Sequence, residues 1–390
     1  MTIGIDKIGF ATSQYVLKLQ DLAEARGVDP EKFSKGLLLN EISIAPLTED
    51  IVTLAASASN SILTDKEKEE IDMVIVATES GIDQSKAAAV FVHGLLGIQP
   101  FARSFEIKEA CYGATAALHY AKLHVENSPK SKVLVIASDI AKYGVAAPGE
   151  PTQGAGSVAM LITQNPRTMA FNNDNVAQTR DIMDFWRPNY STTPYVNGLY
   201  STQQYLDSLT TTWDEYKKRY DWTMNDFAAI CFHLPYPKLA LKGLRKMMDK
   251  TLSQEKKDSL QENFDKSILY SQMIGNIYTG SLFLGLLSLL ENAETLKAGD
   301  KIALYSYGSG AVSEFFSGEL VEGYEAYLDK ERLSKLKQRT ALSVADYEKV
   351  FFEEVQLDES GSAQFAGYEY QDYALVEIVD HQRRYSKVEK

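Results

Sequence analysis

Short apolar runs bounded by glycine, proline or polar clusters alternate along this chain with longer stretches whose apolar positions recur every three to four residues. The first pattern marks buried strands and the second marks helices with one apolar face. Strands are predicted over residues 5–11, 73–77, 101–107, 133–138, 157–163, 228–232, 302–307 and 311–316. Helices are predicted over 19–26, 50–62, 84–95, 111–125, 203–219, 237–249 and 277–291. Such alternation predicts α/β layers. The pattern is also doubled: V-L-V-I-A-S-D-I followed by G-A-G-S-V-A-M-L-I is echoed by I-A-L-Y-S-Y-G-S-G-A-V-S-E-F-F, in each case a buried strand, a glycine turn and a second strand. A repeated β/α unit would divide the chain into halves at 1–165 and 166–390 and would set Cys111 and His233 in equivalent loops.

At 390 residues, 45% hydrophobic and 24% charged, the chain is long enough to bury a large core and is neither disordered nor fibrous. A net charge of −13 argues against a nucleic-acid partner. The longest apolar run, 277–290, is interrupted by Tyr278, Thr279, Gly280, Ser281, Gly285 and Ser288 and is too short to span a bilayer, so no membrane segment is expected. Two cysteines, and a start M-T-I-G-I-D-K-I-G-F that does not read as a secretory signal, point to a reducing cytoplasm with Cys111 unbridged. The histidines and cysteines lack metal-ligand spacing, so no metal is expected.

Cys111 stands where a strand at 104–108 gives way to a helix whose Ala114, Ala117, Leu118 and Ala121 form one apolar stripe. A cysteine starting that helix would meet unpaired N–H groups and the positive end of the helix dipole, which favour the thiolate and can hold a developing oxyanion. The competing reading is a small buried hydrophobe, as Cys231 within its apolar strand is read. Glu79 ends the strand in I-D-M-V-I-V-A-T-E-S-G. A partly desolvated carboxylate there has a raised pKa and can take a proton from carbon, or else it caps the helix expected near Asp83. His233, in A-A-I-C-F-H-L-P-Y-P-K, also ends a strand, and Pro235 and Pro237 stop that strand from continuing. Three such groups at three strand ends suggest one crevice beyond the carboxyl ends of a sheet. Lys238, Lys242, Arg245 and Lys246 follow at helical spacing, either as a phosphate-binding face or as a solvated one. The glycines at 308 and 310 let backbone approach a ligand, making Ser309 N–H a second candidate oxyanion donor; the alternative is a plain hairpin turn.

Together, A-T-E-S at Glu79, K-E-A-C-Y-G-A-T-A-A at Cys111, G-A-G-S-V-A at 154–159, D-F-W-R-P at 184–188, F-H-L-P-Y-P-K at His233, N-I-Y-T-G-S at 276–281 and Y-G-S-G at 307–310 resemble the bacterial hydroxymethylglutaryl-CoA synthase family of the thiolase superfamily, in order and over nearly the whole chain. The resemblance implies two βαβαβ halves in a five-layered αβαβα core, a homodimer, and condensation of acetyl-CoA with acetoacetyl-CoA through an acetyl-Cys111 intermediate in the mevalonate pathway. CoA thioesters would be substrates, with no cofactor. It implies that Asn276 assists the acceptor and that Asp29, Thr152, Ser201, Lys238 and Lys242 line the CoA and product site. A ketoacyl-ACP synthase III-like enzyme would also use Cys111, His233 and Asn276, but it makes its carbanion by decarboxylation and has no need of Glu79. A thiolase would carry a second cysteine near the C-terminal glycine turn, where this chain has Ser309. A Cys-His hydrolase leaves Glu79 and the doubled pattern unexplained, and a silent scaffold would be expected to lose one of the three groups.

Overall fold

The computed structural model describes residues 2–368 and 372–387. Ten strands form its main sheet: β1 (Ile3–Ala11), β2 (Ile71–Ala77), β3 (Arg103–Ile107), β4 (Lys132–Ala141), β5 (Gly154–Gln164), β6 (Met169–Phe171), β7 (Val176–Thr179), β8 (Ala229–Phe232), β9 (Lys301–Gly308) and β10 (Val312–Leu320). Their order is β8, β9, β10, β6, β1, β5, β4, β2, β3, with β7 also paired to β10. One arrangement occurs twice. β2 is parallel to β4, β4 antiparallel to β5, and β5 antiparallel to β1; β8 is parallel to β9, β9 antiparallel to β10, and β10 antiparallel to β6. The half-sheets join where β1 meets β6, through Gly4 opposite Ala170 and Ile5 opposite Met169. Only glycine fits this seam, because a Cβ on Gly4 would stand 2.0 Å from the Met169 carbonyl oxygen.

Strand alternation builds the layers, because successive side chains point to opposite faces. In β2, Met73, Ile75 and Ala77 join the central core while Val74 and Val76 join an outer one. The central core holds α3 (Gly113–Asn127) and α7 (Ser281–Asn292) between the two half-sheets. α7 is buried from Ser281 through Glu291, as a helix enclosed on all sides requires. α1 (Ile51–Asn60) and α2 (Ala88–Leu96) cover the outer face of the first half-sheet. α4 (Gly198–Tyr220), α5 (Pro237–Met247) and α6 (Gln254–Ser267) cover that of the second. The result is helix, sheet, helix, sheet, helix, the five-layered α/β core that the resemblance implies.

Three expectations change. α3 starts at Gly113 and not at Cys111, because Ala110 takes φ 39 and turns the chain before the helix can begin. α7 starts at Ser281, after a short 3-10 turn over Tyr278–Gly280. The loop equivalences also differ. By the repeated strand pattern β2 corresponds to β8, so His233 is the counterpart of Glu79; Cys111, just before α3, corresponds to the segment around Asn276, just before α7.

Beyond Arg339 the chain packs back onto its first residues. Thr340–Ala341 pairs with Tyr15 and Val16. The hairpin of Tyr373–Val379 and Gln382–Lys387 reaches Asp50, the N-cap of α1, through Arg383 Nη1 at 3.1 Å and Tyr385 OH at 2.6 Å. Among the described residues no helix is long and apolar enough to cross a membrane.

Candidate active site

The loops after β2 and β3 bring Glu79 and Cys111 into direct contact, with Cys111 Sγ donating to Glu79 Oε1 at 3.2 Å. The thiol is not poised as a free thiolate. Burial, together with the charges of Glu79, Asp139 and Asp184, pushes it well above the ordinary range. The helix itself begins only at Gly113, two residues beyond the thiol. Burial first, and the Asp139 charge second, lift Glu79 to about 8, against the opposing influence of the Cys111 hydrogen bond and the Arg187 guanidinium. Glu79 is therefore a carboxylate of near-neutral basicity, suited to exchanging protons with both sulfur and carbon.

Asp139, which sequence reasoning missed, organises this corner. It ends the apolar run of β4 as Glu79 ends that of β2, a signal visible in V-I-A-S-D-I. Its Oδ1 accepts from Thr78 Oγ1, Glu79 N–H and Ser80 Oγ at 2.8–2.9 Å. Its Oδ2 accepts from Thr279 N–H at 3.1 Å and Thr279 Oγ1 at 2.5 Å. Burial still holds the carboxyl above its usual range, with these bonds opposing. Because Thr279 belongs to the second half and also donates to the Ala77 carbonyl at 3.1 Å, Asp139 ties the halves together directly beneath Glu79.

The second half contributes the remaining groups. His233 follows β8, 2% exposed, with its N–H on the Tyr305 carbonyl at 2.7 Å and its Nδ1 without a partner. Burial lowers it to about 3, so the imidazole is neutral at physiological pH. The neighbouring β9 runs into the Ser309 turn, so His233 stands at the same sheet end as the first-half pair. That turn reaches the loop carrying Cys111: a Cβ on Gly308 would lie 2.7 Å from Tyr112 N and 2.8 Å from the Glu109 carbonyl. Asp184, also missed, fixes it by accepting from Gly310 N–H at 2.8 Å and Tyr307 OH at 2.7 Å. Arg187, from the same D-F-W-R-P string, donates to the Glu79 carbonyl. Asn276 is committed within the site: Nδ2 donates to Tyr143 OH at 2.9 Å, and Oδ1 accepts from Tyr278 N–H and Ser281 Oγ at 2.9 and 2.7 Å. Tyr143 packs edge-on against both Phe185 and Tyr278.

The remaining predicted residues lie farther out. The Thr152 carbonyl accepts Asn276 N–H at 3.0 Å, which places Thr152 beside the site. Lys238, in the first turn of α5, bonds through its N–H to the Leu37 carbonyl at 3.0 Å, next to the segment carrying Asp29. Asp29 itself accepts from Glu31 N–H at 2.9 Å. Ser201 lies in the first turn of α4. Of the basic face, Lys242, Arg245 and Lys246 are exposed, and Lys246 approaches Asp207 at 3.7 Å. Among the described residues no hydrogen bond ties this outer group to Cys111 or Glu79.

A thiol that can surrender its proton to an adjacent carboxylate, on a thiolase-like scaffold with backbone turns at hand, is equipped for acyl transfer followed by carbanion chemistry; the class is that of carbon–carbon bond-forming acyltransferases. The chain belongs to the hydroxymethylglutaryl-CoA synthase family. Residues 2–167 match the N-terminal description of hydroxymethylglutaryl-coenzyme A synthase, and residues 175–251 and 244–372 match its C-terminal description. The chain is 55% identical over 360 residues to the hydroxymethylglutaryl-CoA synthase of Enterococcus faecalis, covering 92% of this chain and 94% of the relative. It is 31% identical to the polyketide biosynthesis 3-hydroxy-3-methylglutaryl-ACP synthase PksG of Bacillus subtilis, over 90% of this chain and 88% of that one. A crystal structure of HMG-CoA synthase complexed with CoA superimposes with a TM-score of 0.98 at 68% identity, covering 100% of both chains. These matches do not favour a ketoacyl-ACP synthase III-like enzyme.

Proposed function

We propose that the family's reaction, acetyl-CoA plus acetoacetyl-CoA plus water to hydroxymethylglutaryl-CoA plus CoA, runs in this chain through an acetyl thioester on Cys111. The reaction fits the mevalonate route. The observation that carries the assignment is the 3.2 Å contact between Cys111 Sγ and Glu79 Oε1. Glu79 takes the thiol proton as sulfur attacks the acetyl thioester and passes it to the departing CoA sulfur, so CoA leaves as its thiol and Glu79 is a carboxylate again. The Cys111 and Ser309 N–H groups polarise the acetyl oxygen. Glu79 then removes a proton from the acetyl methyl, the carbanion adds to the acceptor ketone, and Glu79 returns the proton to the new alkoxide. Neutral His233 hydrogen-bonds the acceptor and orients it. Water finally cleaves the Cys111 thioester.

Asn276 is assigned to acceptor binding, and Asp29, Thr152, Ser201, Lys238 and Lys242 to the CoA and product site. The exposed cations of α5 suit CoA phosphates, and the family structure complexed with CoA supports that ligand class. We take the working unit to be a cytoplasmic homodimer of chains divided into halves at 1–165 and 166–390, with β3 as the terminal strand of the sheet open to a second copy. Intact-mass spectrometry after acetyl-CoA alone, then after acetoacetyl-CoA, tests the sequence of steps. An acetyl group on Cys111 discharged by the second substrate is expected, and its absence overturns the mechanism.

A further inference from the structure

One buried carboxylate near the site is left unused by this mechanism. Glu314, on β10, is 4% exposed, and burial holds its carboxyl above the usual range while a hydrogen bond from Tyr112 opposes the shift. Tyr112 OH donates to Glu314 Oε2 at 2.6 Å, across the boundary between the halves. One turn along α3, Thr115 Oγ1 donates to Ser306 Oγ at 2.8 Å. Ser306 and Glu314 are direct cross-strand partners in β9 and β10, so two bonds from the start of α3 land on one rung of the opposite half-sheet. From the other side, Gly308 fits so closely against Tyr112 and Glu109 that no side chain could intervene.

A buried carboxylate is costly unless it holds something in place, and this one holds the residue that follows Cys111. Ala110, on the other flank, is already in the left-handed region at φ 39, a conformation that a non-glycine residue keeps only when its surroundings impose it. We propose that Glu314 is a positioning residue: by fixing the Tyr112 phenol it clamps residues 109–112 against the Gly308 turn and keeps Cys111 Sγ aligned with Glu79 and the Ser309 N–H. The inference rests on Cys111 being the acetylated thiol.

Single-turnover acetylation of the full-length chain by acetyl-CoA, read by intact mass, tests it. Glu314→Ala is expected to slow acetylation about 10- to 100-fold while changing KM for acetyl-CoA less than about threefold. Glu314→Gln, which keeps an acceptor oxygen, recovers most of the rate. Tyr112→Phe loses as much as Glu314→Ala, and the double variant loses no more than either single one. Wild-type acetylation by a folded Glu314→Ala enzyme, a Gln variant as slow as Ala, or additive losses would each overturn the clamp. If Glu314→Ala does not fold, the Gln and Tyr112→Phe variants decide. Absence of acetyl from Cys111 in the wild-type chain would instead sink the nucleophile assignment, and this inference with it.

Discussion

The two halves place side chains at equivalent loops but give them opposite electrical characters. After β2 and before α3 stand Glu79 and Cys111, a carboxyl lifted to about 8 and the thiol that donates to it. At the matching places, after β8 and before α7, stand His233, held neutral by burial, and Asn276, which carries no charge and whose amide is engaged by Tyr143, Tyr278 and Ser281. Duplication therefore supplies two sets of loops at one end of the sheet. In the proposed mechanism the first set exchanges protons, while the second orients the acceptor without changing charge.

Removing the sulfur is the harshest test of that division. Cys111→Ser is expected to lower turnover at least about 1000-fold and to leave no acetyl adduct by intact mass. Glu79→Ala should slow condensation from preformed acetyl-enzyme by about 100- to 10,000-fold, and acetylation by less, in rapid-quench assays. Condensation at the wild-type rate would strip Glu79 of its role. On the other side, His233→Ala should lower kcat/KM for acetoacetyl-CoA about 10- to 100-fold while acetyl transfer stays within about threefold. An equal loss in both steps would erase the contrast between the halves. Asp139→Asn sharpens it further. Without the neighbouring negative charge Glu79 ionises more easily, so the acid limb of the condensation pH profile should move down by about one unit.

The smallest effect concerns stability. A carboxyl near 8 in the folded chain and near 4.5 unfolded binds more protons when folded, so its contribution is lost as pH rises from about 4.5 to 8. Glu79→Gln should thus gain on the wild type by roughly 2 °C or more in Tm when both are melted at pH 8.5 instead of pH 5. His233, lowered to about 3, acts on the acid side: the unfolded chain takes up the proton first, and stability is lost as pH falls from about 6.5 toward 3.

Much of this was readable in the chain because its strands are covered on both faces. Runs such as residues 73–77 and 133–137 are fully buried and stand out as uninterrupted apolar segments. Glu79, Cys111 and His233 were conspicuous as polar groups ending such runs. Asp139 carries the same mark at the end of V-L-V-I-A-S-D. Asp184 and Arg187 stand in the D-F-W-R-P string, but their roles were not legible there, since their partners Gly310 and Glu79 lie 126 and 108 residues away. The left-handed turn at Ala110 was also invisible, because alanine does not announce positive φ as glycine does. The loop equivalence of Cys111 and His233 failed because β3, which leads to Cys111, has no counterpart in the second half-sheet among the described residues.

The grip of Arg383 and Tyr385 on Asp50 sets a timetable for biogenesis. Arg383 follows Asp50 by 333 residues, so a nascent chain must carry that helix without its outer brace until this later segment has been made. A stop codon placed before position 383 would release a polypeptide in which this fastening never closes.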